Sequence, residues 1–337
     1  MKAYVLHNIN DLRYEDVQMP ECPKGWVIVQ VKAAGICSSD IARVFTKGTY
    51  HFPTIPGHEF SGIVHKVNDR DAEGWIGNRV GVFPLIPCRQ CPQCQEKHFE
   101  MCAHYDYIGS RRDGAFAEYV AVPVWNLILV PDGISFEVAA MLEPLSVGLH
   151  AIKMVDIQSQ DNVAIVGTGM IGIGAAQWAK QRTDGDVVII GRNESKRQLV
   201  ESTGISYEVK TIADGEEFDV VLEAVGTPQS VDSAINLARP GGTVVLMGNP
   251  SGVISLNQNT YWRVLRKQLT LKGTWNSAYD GTNPSDWTEV VSALAKGQVK
   301  VDSLMSHKLS QKNLMDGLKL MQVHEEPYCK VMTIWNN

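Results

Sequence analysis

The hydrophobic positions of this chain change their rhythm near residue 150. Before that point, apolar residues come in short runs at 26–31, 60–67, 79–83 and 116–122. Turn clusters such as Ile55-Pro56-Gly57 and Val130-Pro131-Asp132-Gly133 separate them. Short runs bounded by proline and glycine predict a largely β domain. Beyond residue 150, apolar blocks alternate with helix-length segments. Val163-Ala164-Ile165-Val166 leads through Gly167-Thr168-Gly169 into an apolar helix ending near Ala179. Val187-Val188-Ile189-Ile190 leads through Gly191 to a helix over 194–202. Strands at 219–222 and 243–247, a helix over 227–238 between them and a β-like run at 269–275 continue the pattern. Continuous apolar strands joined by helices predict a parallel sheet covered on both faces. From about residue 286 the spacing is helical, and 330–335 reads as a strand returning to the first domain. The expected fold is α/β, a largely β domain plus a doubly wound parallel sheet. Its boundaries are 1–148 with a lobe at 87–103, then 149–280, then a returning segment 281–337.

Composition narrows the function. At 337 residues, with 44% hydrophobic and 20% charged, the chain is long enough for two cores and is not disordered. A net charge of −6 without a basic stripe argues against nucleic acid as a partner. No apolar run reaches membrane-spanning length, and Met1-Lys2-Ala3-Tyr4-Val5-Leu6-His7 lacks a secretory core. The expectation is a cytoplasmic protein with no membrane partner. Seven cysteines in a reducing compartment point to thiols and metal ligands; Cys22 and Cys329, far from any cluster, read as ordinary thiols.

Four of the seven form the ladder Cys88, Cys91, Cys94 and Cys102. Four thiolates can close a tetrahedral zinc shell and leave no position for substrate, so this site reads as structural. Two disulfides would be the alternative in a secreted chain. A sparser set, Cys37, His58, Glu59 and Glu143, surrounds the ladder in sequence. A catalytic zinc wants about three protein ligands and one open position. Taken singly, these residues have ordinary explanations: a buried thiol, a core histidine, a helix-end carboxylate ahead of Pro144.

Gly167-Thr168-Gly169-Met170-Ile171-Gly172 fits G-x-G-x-x-G between a predicted strand and a predicted helix, the context of a Rossmann dinucleotide turn. The glycines let backbone approach a pyrophosphate that the helix N-terminus favours. The next strand ends in Gly191-Arg192, with Lys196 and Arg197 beyond, where an acid would bind the ribose hydroxyls of NAD. Guanidinium pairs well with phosphate, so NADP(H) is favoured over NAD(H). The alternative makes Arg192 a solvated residue and Lys196 and Arg197 decoration on a helix face. Leu246, Gly248 and Thr274, at the ends of later β-like runs, complete the cofactor candidates.

Together these motifs resemble the zinc-containing medium-chain dehydrogenase/reductase superfamily over essentially the whole chain. Gly35-Ile36-Cys37-Ser38-Ser39-Asp40 is similar to its first ligand motif, Gly57-His58-Glu59-Phe60-Ser61-Gly62 to its second and Glu143-Pro144 to its third. Glutamate at 143 is similar to the polyol dehydrogenase branch. Residues 107–114 and 265–270 resemble the galactitol-phosphate enzymes within that branch. The resemblance implies a GroES-like catalytic domain and one catalytic and one structural zinc. It also implies a nicotinamide-linked oxidation of CH–OH, and assembly as a homodimer or homotetramer. It assigns Cys37, His58 and Glu143 as catalytic-zinc ligands, Glu59 as an adjacent carboxylate that ligates or holds the metal's water, and Ser39 as first proton acceptor. Ala42 departs from the pattern, standing where many relatives place a relay histidine.

The implied substrate is a polyol phosphate such as galactitol 1-phosphate. A free polyol of the sorbitol or xylitol type, or a secondary alcohol such as threonine or butanediol, is the alternative. Arg43 and Asn276 are the proposed substrate contacts, with Arg111 and Arg112 as further candidates that could instead pair with Asp106 or Asp113. Two other classes compete: a binding protein without turnover, opposed by the intact Cys37–His58–Glu143 set, and a zinc-ribbon nucleic-acid module, opposed by the acidic balance.

Overall fold

The structure, a computed structural model, describes residues 1–209, 217–250, 252–324 and 326–336. The chain forms two compact units. One comprises Met1–Glu143, Ala278–Gln298 and Met305–Asn337; the other comprises Pro144–Ser277 and Val299–Leu304.

The first unit is built on a seven-stranded sheet. Its main path runs His307–Ser310, Val331–Ile334, Trp26–Ile36, Glu59–Val67, Arg79–Val82, Leu127–Leu129, and Tyr119–Pro123 pairs alongside Trp26–Ile36. Val27, Val29, Val31, Phe60, Val80 and Val82 join Phe116, Leu318 and Trp335 in one buried core. The strand register decides which polar residues meet. Antiparallel pairing sets Gly35 opposite Glu59 and Ile36 opposite Val331. The end of one strand and the starts of two others therefore come together, and Cys37, His58 and Lys330 are the residues just beyond them.

The second unit holds a six-stranded parallel sheet in the order Ser206–Val209, Val187–Gly191, Val163–Val166, Phe218–Glu223, Ala238–Leu246, Thr270–Gly273. The order reverses beside Val163–Val166. In such sheets ligands bind beyond the carboxyl ends of the strands at this switch point. The fold class expected from the hydrophobic rhythm is the one observed.

Three local readings change. The run expected at 116–122 is a strand only over Tyr119–Pro123, because the Phe116 backbone pairs instead with Tyr4 (2.8 Å) and Pro56 (2.9 Å). The helix expected over 194–202 is a 3-10 turn, Glu194–Lys196, followed by Arg197–Glu201; Lys196, at φ −111° and ψ 4°, interrupts the α geometry. His307–Ser310 is a strand inside a tail that reads as helical, formed because Val331–Ile334 offers it an edge. Among the described residues no helix is long and apolar enough to cross a membrane.

Candidate metal centres and cofactor turn

The strand register assembles a buried polar site in the first unit. One ligand atom each from Cys37, His58 and Glu59 lie within 4.8 Å of one another. Thiolate, imidazole and carboxylate are a zinc donor set, and zinc–ligand bonds of about 2.0–2.3 Å can span such a triangle. The residues fit the metal. Glu143, buried on the helix Leu142–Lys153, stands beside this triangle rather than within it. Its Oε1 accepts from the Tyr107 hydroxyl at 3.3 Å. Burial pushes Glu143 up to about 7; the nearby His58 opposes that rise and the Glu59 carboxylate adds to it.

Three side chains that sequence reasoning did not assign hold this site together. Asp40, fully buried, accepts from the Cys37 backbone N–H at 3.0 Å and from Arg43 Nη1 at 2.8 Å, and lies 3.5 Å from His58 Nδ1. With Nδ1 turned to this carboxylate, Nε2 is the nitrogen left for a metal. Burial works against the Asp40 charge, but His58, Arg43 and the Cys37 amide hold it at about 2. Lys330, buried, donates to Glu59 Oε2 and to the Ile36 carbonyl at 3.3 Å. Gly35 makes room for that pair, since a Cβ there would lie 2.4 Å from Glu59 Oε2. The third is Tyr107, whose ring centroid is 5.7 Å from that of His58. Asp40 was visible as an acid three residues after Cys37. The sequence held no signal that Tyr107 or Lys330 would arrive here.

Tyr107→Phe removes only the hydroxyl that orients Glu143. Outer hydrogen bonds of this kind are worth about 10–100-fold in metal affinity. Zinc at the Cys37–His58 site is expected to be lost to a chelator at correspondingly lower concentrations, with the four-cysteine lobe unaffected. Competition titration checks this.

The ladder closes as a lobe of short turns. Cys91 precedes the turn Pro92–Gln95 and Cys102 follows the turn Phe99–Met101. Cys88 and Cys94 sulfurs are 3.9 Å apart, as are those of Cys91 and Cys102. A tetrahedron with Zn–S bonds of about 2.3 Å has edges of about 3.8 Å, so the spacing fits zinc. The four thiols cannot ionise alike without a cation. Backbone N–H groups of Ala103 and Cys94 draw Cys91 down to about 6, whereas burial pushes Cys94 up to about 12. A divalent ion would remove that conflict.

In the second unit, Gly167 follows Val163–Val166 at the switch point and has φ 126°, a conformation that favours glycine. A Cβ on Gly172 would meet the Gly167 carbonyl at 2.5 Å, so the turn closes only with glycine there. Gly169 caps the helix Met170–Lys180, which begins with Met170 and Ile171. Leu246 ends its strand and accepts from the Thr274 backbone N–H at 3.2 Å, and Gly248 N–H donates to the Glu223 carbonyl at 3.0 Å. Thr274 Oγ1 and Asn276 Nδ2 are buried without hydrogen-bond partners, and Asn276 has φ 54°. Unpaired buried polar atoms on a strained segment beyond a strand's carboxyl end fit a polar ligand such as a nicotinamide cofactor. Arg192 is exposed, while Lys196 Nζ reaches the Thr168 carbonyl at 3.3 Å. Arg197, read as a possible phosphate ligand, instead pairs with Glu194 and Glu201 along its own helical turns.

The remaining substrate candidates separate. Arg43, with 18% of its side chain exposed, donates to Ser39 Oγ at 2.9 Å and lies 3.4 Å from His58 Nδ1. Arg112 pairs with Asp106, the alternative the sequence left open. Arg111 lies 4.3 Å from the ring centroids of both Tyr50 and Tyr105 and donates to the Tyr105 carbonyl at 2.8 Å. Arg111 and Arg112 thus have partners away from the Cys37–His58–Glu59 triangle, whereas Arg43 lies beside it.

Residues 23–132 match the alcohol dehydrogenase GroES-like domain, and residues 171–296 match the zinc-binding dehydrogenase domain. A galactitol 1-phosphate 5-dehydrogenase of Escherichia coli (strain K12) is 31% identical over 320 residues, covering 91% of this chain and 92% of the relative. The crystal structure of galactitol-1-phosphate dehydrogenase from Escherichia coli matches with a TM-score of 0.90 at 30% identity, over 99% of this chain and 100% of that one. An alcohol dehydrogenase from E. coli CFT073 solved with NADH matches at TM-score 0.89 and 25% identity, over 99% of both chains. A zinc-binding dehydrogenase-type protein from Sinorhizobium meliloti 1021 bound to NADP matches at TM-score 0.87 and 28% identity, over 99% of this chain and 98% of that one.

Proposed function

This chain belongs to the zinc-containing medium-chain alcohol and polyol dehydrogenases, and on that premise we propose that it oxidises a polyol phosphate, galactitol 1-phosphate or a close analogue, to the ketose with NADP(H) as hydride carrier. The observation that carries the phosphate is Arg43. Its guanidinium lies 2.8 Å from Asp40 and 3.4 Å from His58 Nδ1, and the 18% of its side chain left exposed offers a cation near the metal site with which a substrate phosphate could pair. The cofactor reading rests on Gly191 and Arg192, which put a cation where an acid would otherwise exclude a 2′-phosphate.

The contacts support these roles. Cys37, His58 and one of the two glutamates, Glu59 or Glu143, hold the catalytic zinc, and the four-cysteine lobe holds a structural one. Bound there, zinc supplies the Lewis acidity that makes a substrate hydroxyl acidic. Asp40 fixes the His58 ring and the start of the Cys37 turn through its contacts with Nδ1 and the Cys37 amide. Ser39 takes the substrate's hydroxyl proton; its oxygen accepts from Arg43 Nη1 at 2.9 Å, which leaves its own hydrogen free to pass outward. Ala42 offers no imidazole, so water or a cofactor's ribose hydroxyl would have to receive that proton. A bound nicotinamide would accept the hydride from the carbon that bears that hydroxyl.

A panel of free and phosphorylated hexitols and pentitols, each with NAD and NADP, tests the reading. The highest kcat/KM is expected for a phosphorylated hexitol with NADP. Arg43→Ala is expected to impair both substrates, because it also strips Asp40 and Ser39 of their partner, and to raise KM for the phosphorylated substrate by about tenfold or more beyond its effect on a free polyol, the worth of a charge-assisted bond. Equal effects on both substrates would refute Arg43 as the phosphate contact.

A further inference from the structure

The strand Val187–Gly191 ends where the fold constrains chemistry most tightly. A Cβ placed on Gly191 would lie 1.8 Å from the Tyr207 hydroxyl, 2.3 Å from its Cζ and 2.7 Å from its Cε2. All three contacts fall under the 3.0 Å that real Cβ atoms essentially never breach. Tyr207 comes from the neighbouring parallel strand Ser206–Val209, is 3% exposed and pairs in register with Ile189. It is not a side chain that can swing aside. Its hydroxyl donates to the Asn193 carbonyl at 2.5 Å, and its own carbonyl accepts from Arg197 Nη1 at 2.7 Å. The Arg197 guanidinium also sits 5.2 Å from the centre of its ring. Asn193 in turn caps Ser195 N–H at 3.0 Å. One tyrosine organises the turn over 192–197, the turn that carries Arg192 to the surface and Lys196 to the glycine loop.

A carboxylate at the end of this strand is how a doubly wound sheet holds the ribose hydroxyls of NAD. Here the phenol ring occupies the volume that such a side chain would need. We infer that Tyr207 is a positioning residue for cofactor choice: it confines residue 191 to glycine and anchors the cationic turn, and so disfavours NAD without touching either cofactor. The inference rests on the proposed NADP(H) preference. It explains why the acid is missing and predicts that restoring it alone cannot reverse the preference.

Dissociation constants for NADP and NAD, measured by fluorescence titration of the full-length zinc-loaded protein, and Tm values test this without turnover. Gly191→Asp is expected to lower Tm and gain no NAD affinity. Combined with Tyr207→Leu, which lacks the three clashing atoms, the same aspartate is expected to bind NAD about tenfold tighter than in the single variant, a coupling typical of residues in contact. Tyr207→Leu alone is expected to lower the NADP-to-NAD affinity ratio, because the turn loses its anchor. Gly191→Asp binding NAD as tightly as the double variant, or an unchanged ratio in Tyr207→Leu, would overturn the inference. Should the aspartate variants not fold, Gly191→Ala decides: its Tm loss must be much smaller in the Tyr207→Leu background, and equal losses overturn the clash. Wild-type protein that binds NAD more tightly than NADP would sink the cofactor reading itself, while the Gly191→Ala comparison would still report separately on the packing.

Discussion

His58→Ala is expected to lower kcat/KM by about three orders of magnitude while removing about one zinc per chain. The size follows from the chemistry. A Lewis acid at a developing alkoxide is worth several kcal/mol, and each ~1.4 kcal/mol is tenfold in rate. The imidazole is one of three donors within 4.8 Å, so its loss leaves a thiolate and a carboxylate that bind zinc far more weakly. The four-cysteine lobe shares no residue with this set and is expected to keep its metal. Elemental analysis and steady-state kinetics on the same preparation check both halves. An inactive variant that retains all its zinc would contradict the assignment of His58 as a ligand. A variant that loses both metals would mean that the two sites are not independent.

Lys330→Met is expected to destabilise the protein by about 3–5 kcal/mol once zinc has been chelated, and by clearly less when zinc is bound. Lys330 and Glu59 are 3% and 2% exposed. Breaking a buried pair from one side leaves an uncompensated charge, and the penalty is that charge's desolvation rather than the bond's own worth. Methionine keeps the length and apolar stem of lysine, so packing changes little. Zinc restores a positive charge beside the Glu59 carboxylate, which is why loading should shrink the loss. Urea unfolding of both forms measures the difference. The double variant Lys330→Met/Glu59→Gln is expected to recover much of the stability. If the single variant unfolds at the wild-type urea concentration with zinc removed, Lys330 and Glu59 are not a buried pair.

How much of this could be read from residues alone depended on sequence distance. The glycine turn was legible because its chemistry is local: strand, turn and helix follow one another, and Gly167 to Gly172 do their work within six positions. The cysteine ladder was legible for the same reason, with all four sulfurs inside one short lobe. Strand positions were mostly legible as well, since buried parallel strands are continuous apolar blocks. The polar strand His307–Ser310 escaped because only its neighbour makes it a strand. The interrupted helix after Gly191 escaped because Asn193 capping and the Tyr207 contact shape it, and neither leaves a periodicity.

The metal site divides along the same line. Cys37 and the His58-Glu59 pair were findable as ligand types in the right order, and Arg43 as a nearby cation. Their partners were not. Lys330 is 271 residues from Glu59, and it arrives because the final strand pairs with Trp26–Ile36 at Val331 opposite Ile36. Tyr107 reaches Glu143 across 36 residues through a two-residue strand, Asp106–Tyr107. By itself the sequence determined the layered α/β architecture, the glycine turn between strand and helix and which residue types could ligate zinc, because hydrophobic period and short-range spacing encode those directly. Only the tertiary structure decided which charges are paired, which glutamate faces which partner and why position 191 carries no side chain. Those outcomes depend on strand register and on the volume left between packed neighbours, quantities that no single segment of chain contains.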